Sequence, residues 1–284
     1  MTGNWWNWIP ACICCKEGLP LSHFAISLTA FFTTIICLLQ SFSGQYDAQE
    51  KTTVFIGHRG YSSEHVDNTE ESFSAAAEKG FSGCETDVRV TADGELLLSH
   101  NSTLVYEDGT ELEVATHTLA ELTEKPLKNS YNKNKVYACT FARYLEVLKA
   151  NGMFCFIELK SDFSDEEIDK IYQTIVDTYS LDNVSIQAMD FNRISRFKDR
   201  HPDIPLMYCA GGWDEENIET ALENGFDIDL EIYKFDPAVV SRFHEKGLRV
   251  AVWTANTRRD VAYCLSLGVD FIESDTRPGL SKAK

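Results

Sequence analysis

The chain has 284 residues, 44% of them apolar, and sets 44 Asp and Glu against 26 Lys and Arg for a formal net charge of −18. That length and apolar content suffice for a full hydrophobic core. The acidic balance excludes nucleic acid as a partner, because phosphate-backbone binding needs a basic surface, and an anionic small molecule would have to meet positive charge gathered locally in a metal ion and a few Arg or Lys.

The chain opens on an aromatic and cysteine-rich leader, residues 1–18, with Trp5, Trp6 and Trp8 ahead of Cys12, Cys14 and Cys15. Leu19 to Leu39 then carries no Asp, Glu, Lys or Arg and is dominated by Phe24, Ile26, Leu28, Phe31, Phe32, Ile35, Ile36, Leu38 and Leu39. As a hydrophobic helix rising about 1.5 Å per residue, this stretch reaches across the roughly 30 Å of a bilayer core, and three tryptophans at one end suit an interfacial belt. The expectation is a single-pass membrane anchor of unassigned orientation. The alternative is secretion after cleavage of a signal near Ser41 or Ser43, against which stands the long, nearly uncharged region ahead of the apolar run. Residues 40–51 are polar and read as a linker to a domain spanning 52–284. Four of the nine cysteines lie in the N-terminal segment, and Cys84, Cys155 and Cys209 fall inside expected strands, so no disulfide framework is expected.

From Thr52 the texture becomes an alternation. Short apolar runs read as strands at Val54–His58, Gly83–Val90, Phe154–Leu159, Val184–Met189, Leu206–Cys209, Ile228–Ile232, Val250–Trp253 and Phe271–Glu273. A helical period appears at Asn68–Lys79, Phe141–Ala150, Asp165–Tyr179, Asn192–Arg200, Glu215–Glu223, Pro237–Lys246 and Arg258–Leu267. Gly80, Gly152, Gly225, Gly247 and Gly268 stand just before strands, as helix-to-strand turns require. Eight strands alternating with helices over about 230 residues predict an α/β fold, a TIM (β/α)8 barrel. A doubly wound open sheet competes, but it usually shows a glycine-rich phosphate loop after its first strand, where this chain has Gly57-His58-Arg59-Gly60. Residues 101–139 break the rhythm as a short, polar, irregular insertion after the second strand, entered through a Gly94–Ser99 hairpin. In a barrel such an insertion lies over the active-site face.

The unusual residues collect at strand ends. Glu85 and Asp87 are two apart on an otherwise apolar strand, so they share a face and repel each other unless a cation lies between them. His58 and Arg59 close the first strand, His100 closes the hairpin extension of the second, and Glu158 and Lys160 share a face of the third. Each piece alone reads as well as a structural histidine or an ion pair; together, on three successive strand ends, they point to catalysis. Three carboxylates are hard oxygen ligands suited to Ca²⁺ or Mg²⁺, not to zinc, which prefers His or Cys. A cation with Arg59 and Lys160 makes a phosphate cradle, and two histidines supply a base and an acid near neutral pH. The set predicts metal-assisted phosphodiester cleavage.

His58-Arg59-Gly60, Asn68-Thr69 with Phe73 and Ala76, Glu85-Thr86-Asp87-Val88, Thr91-Ala92-Asp93-Gly94, Ser99-His100, Glu158-Leu159-Lys160 and Val252-Trp253-Thr254-Ala255-Asn256 make residues 53–278 resemble the glycerophosphodiester phosphodiesterase family. The resemblance implies a TIM barrel that hydrolyses glycerophosphodiesters to glycerol 3-phosphate and an alcohol with a divalent metal. It implies that Glu85, Asp87 and Glu158 hold the metal, that His58 and His100 act as general base and acid, that Arg59 and Lys160 bind phosphate, and that Trp253 lines the substrate pocket. Two positions depart from the family pattern. Val66-Asp67-Asn68-Thr69 stands where Pro-Glu-Asn-Thr is usual, and His100-Asn101 where His-Asp is usual. Asp67 keeps the charge with a shorter reach, and Asn101 is expected to leave His100 less basic. Two other readings remain: a phospholipase-type enzyme acting on (lyso)phospholipids through a cyclic phosphate, and a non-catalytic, membrane-tethered anion-binding barrel.

Overall fold

The computed structural model describes residues 52–211 and 214–277. The leader, the expected span at 19–39 and the linker lie outside these residues. Among the described residues no helix is long and apolar enough to cross a membrane.

Eight parallel strands close on themselves: β1 (Val54–Gly57), β2 (Gly83–Val90), β6 (Phe154–Leu159), β7 (Val184–Ala188), β8 (Leu206–Ala210), β9 (Asp227–Glu231), β10 (Val250–Trp253) and β11 (Phe271–Ser274). The ladder from Val54↔Phe271 to Gly57↔Ser274 joins the last strand to the first, and Ile56↔Gly83 joins the first to the second. Helices α1 (Glu70–Glu78), α3 (Phe141–Asn151), α4 (Asp165–Thr178), α5 (Phe191–Arg200), α6 (Glu215–Asn224), α7 (Ala238–Glu245) and α8 (Arg258–Leu267) separate the strands. This is the expected barrel. Capping boxes at Thr69/Ser72, Ser164/Glu167 and Thr257/Asp260 start three of these helices. Left-handed glycines at 152, 225 and 268 stop three.

The lumen is organised by the two-residue period of strands. Near its floor Ile56, Phe156, Met207, Ala251 and Phe271 form a closed apolar cluster. Two residues further along stand His58, just past the end of β1, and Glu158, Cys209, Trp253 and Glu273 on their strands, and all five line one cavity. The apolar floor therefore supports a polar mouth.

Three local expectations change. The helix expected from Asn68 begins at Glu70 with Thr69 as its cap. Asn68 stays outside it with φ 57°, its buried amide turned to the neighbouring strand. The first strand ends at Gly57, so His58 starts a turn. Residues 101–139 are also more ordered than expected. After β3 (Leu96–Leu98), which pairs antiparallel with β2, come a small hairpin of β4 (Thr103–Val105) and β5 (Glu111–Glu113) and a short helix α2 (Leu119–Thr123). Leu97, Leu104, Tyr106, Val114, Leu122, Leu127 and Ala138 form its own apolar cluster. Three-residue strands are too short for their periodicity to register in the sequence.

Gly60 fixes the loop that carries His58 and Arg59. Its φ is +84°, and a Cβ there would sit 2.6 Å from the backbone carbon of Ser72 in α1. That close approach lets Ser72 Oγ donate to the Arg59 carbonyl at 3.0 Å. Gly60→Ala combines left-handed strain with a backbone overlap, and is expected to cost about 2–5 kcal/mol. Urea unfolding of the full chain measures this; an unchanged midpoint would show that the loop accommodates a side chain.

Candidate active site

The cavity at the C-terminal mouth of the barrel is lined by His58, Arg59, Glu85, His100, Glu158, Lys160 and Trp253, together with Gln187, Met189, Cys209, Asp229 and Glu273. Asp87, fully buried, lies behind them and ties two of them together. Its Oδ2 is 3.3 Å from Arg59 Nε and its Oδ1 is 3.4 Å from Lys160 Nζ. Barrel closure thus brings together every residue singled out from the strand ends. The Asp93-Gly94 turn explains how His100 arrives. Gly94, at φ +74°, donates to the Thr91 carbonyl at 3.1 Å, and β3 runs back along β2 through the pairs Val88↔Leu98 and Val90↔Leu96.

Glu85, Asp87 and Glu158 each place a carboxylate oxygen within 4.8 Å of the others. Their counter-charges are close. Lys160 Nζ is 2.7 Å from Glu158 Oε2, and the Arg59 backbone N–H, in a left-handed conformation, donates to Glu85 Oε2 at 2.9 Å. Even so, Glu85 Oε1 and Asp87 Oδ1 are buried without a hydrogen-bond partner. Burial, then the charge of Asp87, pushes the Glu85 carboxyl well above the usual range; burial also raises Glu158 against the pull of Lys160. Orphaned carboxylate oxygens in an all-oxygen donor set fit a hard divalent cation, so this cluster can hold a metal ion.

The two histidines have different settings. His58 Nδ1 is 2.6 Å from Asp275 Oδ1. Asp275 also accepts from Asn256 Nδ2 at 2.6 Å and Ser62 Oγ at 3.1 Å. Burial would raise the Asp275 carboxyl, but the hydrogen bond and charge of His58 outweigh it and bring it to about 2. An ionised carboxylate only accepts, so it holds the His58 ring in the tautomer with its proton on Nδ1 and leaves Nε2 as the accepting nitrogen. His100 Nδ1 lies 3.2 Å from the side-chain oxygen of Asn101. Burial lowers its pKa below the ordinary histidine value, with the Asp87 charge opposing.

Several site residues were not singled out from the sequence. Asp275 directly follows the last strand in a Ser-Asp pair, a local signal that could have found it. Asn68 donates to Asp87 Oδ2 at 2.7 Å and accepts from Thr86 Oγ1 and the Asp87 backbone N–H. Asp229 and Glu273 add two more buried carboxyls to the cavity wall. Asp67, the shortened acid, is half-exposed and lies 3.7 Å from Arg59 Nη1. Beside the cavity a polar cleft of about 590 Å³ runs between the Arg59–Asp67 loop and the 101–139 insertion. Lys128, Ser130 and Tyr131 line its far wall, and Tyr131 donates to the Ser62 carbonyl at 2.8 Å.

The sequence model of the glycerophosphoryl diester phosphodiesterase family matches residues 58–277. A glycerophosphodiester phosphodiesterase of Caldanaerobacter subterraneus is 26% identical over 233 residues, covering 78% of this chain and 94% of that protein. One from Bacillus altitudinis is 23% identical over 231 residues, 78% of this chain and 94% of its own. Among solved structures, an Oleispira antarctica phosphodiesterase bound to the product sn-glycerol-3-phosphate superposes with a TM-score of 0.70 at 22% identity, covering 80% of this chain and 95% of that one. A Thermotoga maritima glycerophosphodiester phosphodiesterase gives 0.63 at 23% identity, with 79% and 95% covered. The chain belongs to the glycerophosphoryl diester phosphodiesterase family and is an enzyme of that class.

Proposed function

We propose that this enzyme hydrolyses glycerophosphodiesters to glycerol 3-phosphate and an alcohol, with His58 as proton acceptor and His100 as proton donor. The observation that carries the reading is the shared cavity: two histidines in different electrostatic settings face the same space as Glu85 and Glu158 of the carboxylate cluster, an arginine and a lysine. Glu85, Asp87 and Glu158 would hold Mg²⁺ or Ca²⁺, which supplies charge stabilisation at the phosphoryl oxygens when bound. Arg59 and Lys160 now balance the carboxylates. Arg59 and Lys160 are also the groups that would bind the phosphate oxygens, and a cation held by the carboxylates would take over part of the charge balance they now supply.

His58, oriented by Asp275, takes a proton at Nε2 from the water whose oxygen bonds to phosphorus. His100 gives its proton to the departing alkoxide oxygen, so the alcohol leaves neutral. Trp253 forms a wall of the cavity. The neighbouring cleft, lined by Ser62, Ser63, Asp67, Lys128, Ser130, Asn256 and Thr276, favours a small polar alcohol over an acyl chain. That lining supports deacylated diesters over whole (lyso)phospholipids, and the paired histidines support turnover over simple anion binding. For location, the uncharged run from Leu19 to Leu39 supports membrane anchorage of the barrel.

Three outcomes follow. His58→Ala and His100→Ala, and excess chelator on the wild type, should each lower glycerol 3-phosphate release by about 10²-fold or more, with Mg²⁺ or Ca²⁺ restoring the chelated enzyme. Full activity in chelator would remove the metal from the mechanism, and faster turnover of lysophospholipids would reverse the substrate order. Asn101→Asp places a carboxylate beside His100 and favours its imidazolium, so its pKa rises. The alkaline limb of kcat/KM, where the donor loses its proton, should then move up by about one pH unit; an unmoved limb would remove His100 as donor. After alkaline carbonate washing the full-length chain should stay with the membrane pellet, whereas release of a shortened chain would favour the cleaved signal.

A further inference from the structure

A second cation geometry meets the acidic cluster at Glu85. A ring nitrogen of His58 and one oxygen each from Glu85 and Glu273 also lie within 4.8 Å of one another. These donors differ from the all-oxygen set. His58 Nδ1 is committed to Asp275 at 2.6 Å, so Nε2 is the nitrogen left to ligate. A carboxylate behind a histidine is the arrangement that fixes the tautomer of metal-ligating imidazoles. Glu273 is 2% exposed, and its polar neighbours are the Gln187 amide at 3.4 Å and the carboxyl of Asp229.

A buried oxygen without a partner marks the place as incomplete: Glu85 Oε1 has no hydrogen-bond donor, and Glu85 is 2% exposed. Neither Arg59 nor Lys160 makes an ion pair with Glu273; both are spent on Asp67, Asp87 and Glu158. Oxygen-only ligands suit hard ions, whereas one imidazole with two carboxylates suits a borderline ion of the zinc class, bound at about 2.0–2.2 Å. Closing the three ligand atoms onto such an ion needs a contraction of about 1 Å or more, within the reach of rotation about Glu side-chain bonds.

We propose that His58, Glu85 and Glu273 form a second, inhibitory site for Zn²⁺-class cations that shares Glu85 with the hard-cation site. An ion on Nε2 occupies the lone pair with which His58 accepts a proton, so hydrolysis stops while the site is filled. Sharing Glu85 also sets the two ions against each other: raising Mg²⁺ or Ca²⁺ weakens zinc binding. The blocking consequence rests on His58 being the proton acceptor; the binding does not.

The test is calorimetric titration of Zn²⁺ into the full chain, wild type and Glu273→Gln, each checked for an unchanged melting temperature. The leader cysteines contribute alike to both proteins, so the difference isolates the site. Zinc affinity at the extra site should fall by about 10²-fold in the variant, and Ca²⁺ and Mg²⁺ isotherms by less than about threefold. Superimposable zinc isotherms would overturn the site. The wild type alone gives a further reading: on Co²⁺ loading, the His58 Nδ1–H should appear as a hyperfine-shifted, exchangeable resonance, and its absence would overturn the proposal without any variant. If zinc binds at Glu273 and hydrolysis continues unaffected, the site stands and the reading of His58 as proton acceptor falls.

Discussion

Carboxylate crowding at the barrel mouth is the constraint on which the rest of the site depends. Glu85, Asp87, Glu158, Asp229 and Glu273 come from four strands, and among the described residues Arg59 and Lys160 are the cations that form ion pairs with them. Unpaired charges at this depth cost several kcal/mol each, so the surrounding structure must supply donors wherever it can. Two residues adopt a left-handed backbone to do so. Arg59 turns its N–H to Glu85, and Asn68 turns its side chain to Asp87 and Thr86. What remains unmet after these contacts is the affinity for a cation.

Such a mouth is destabilising, and the layer beneath it offsets the cost. Ile56, Phe156, Met207, Ala251 and Phe271 fill the lumen one strand repeat below the site. Phe154, Phe156 and Phe271 meet at ring distances of 5.0–5.6 Å, within the favourable range for aromatic pairs. Outside the strands a continuous apolar shell packs against the helices, and Tyr144 of α3 donates to the carbonyls of Cys84 and Phe156, pinning the backbone just ahead of Glu85 and Glu158. The scaffold is over-determined where the chemistry is not, so the acidic cluster can stay under-neutralised without unfolding the barrel.

The histidine pair shows how the same side chain is given two electrostatic settings by its surroundings. His58 is locked to an ionised carboxylate that is itself held by Asn256 and Ser62. His100 has only the amide of Asn101, near solvent, and burial disfavours its charged form. A fixed tautomer backed by a carboxylate suits a proton acceptor. A protonated histidine of lowered pKa gives up its proton readily.

The sequence alone determined the barrel and the metal-type cluster, because both rest on short-range periodicity. Strand and helix alternate within about 30 residues, and Glu85 with Asp87, or Glu158 with Lys160, share a face through the two-residue repeat. The rest was decided by tertiary structure. Asp275 meets His58 across 217 residues of sequence, and Glu273 and Gln187 across 86, contacts that exist only once the sheet has closed. The insertion's own apolar cluster was hidden for a related reason: its strands are too short to carry a pattern and become legible only where Tyr106 and Leu122 pack together. Local repeats fix which way a side chain points; barrel closure decides what it finds there.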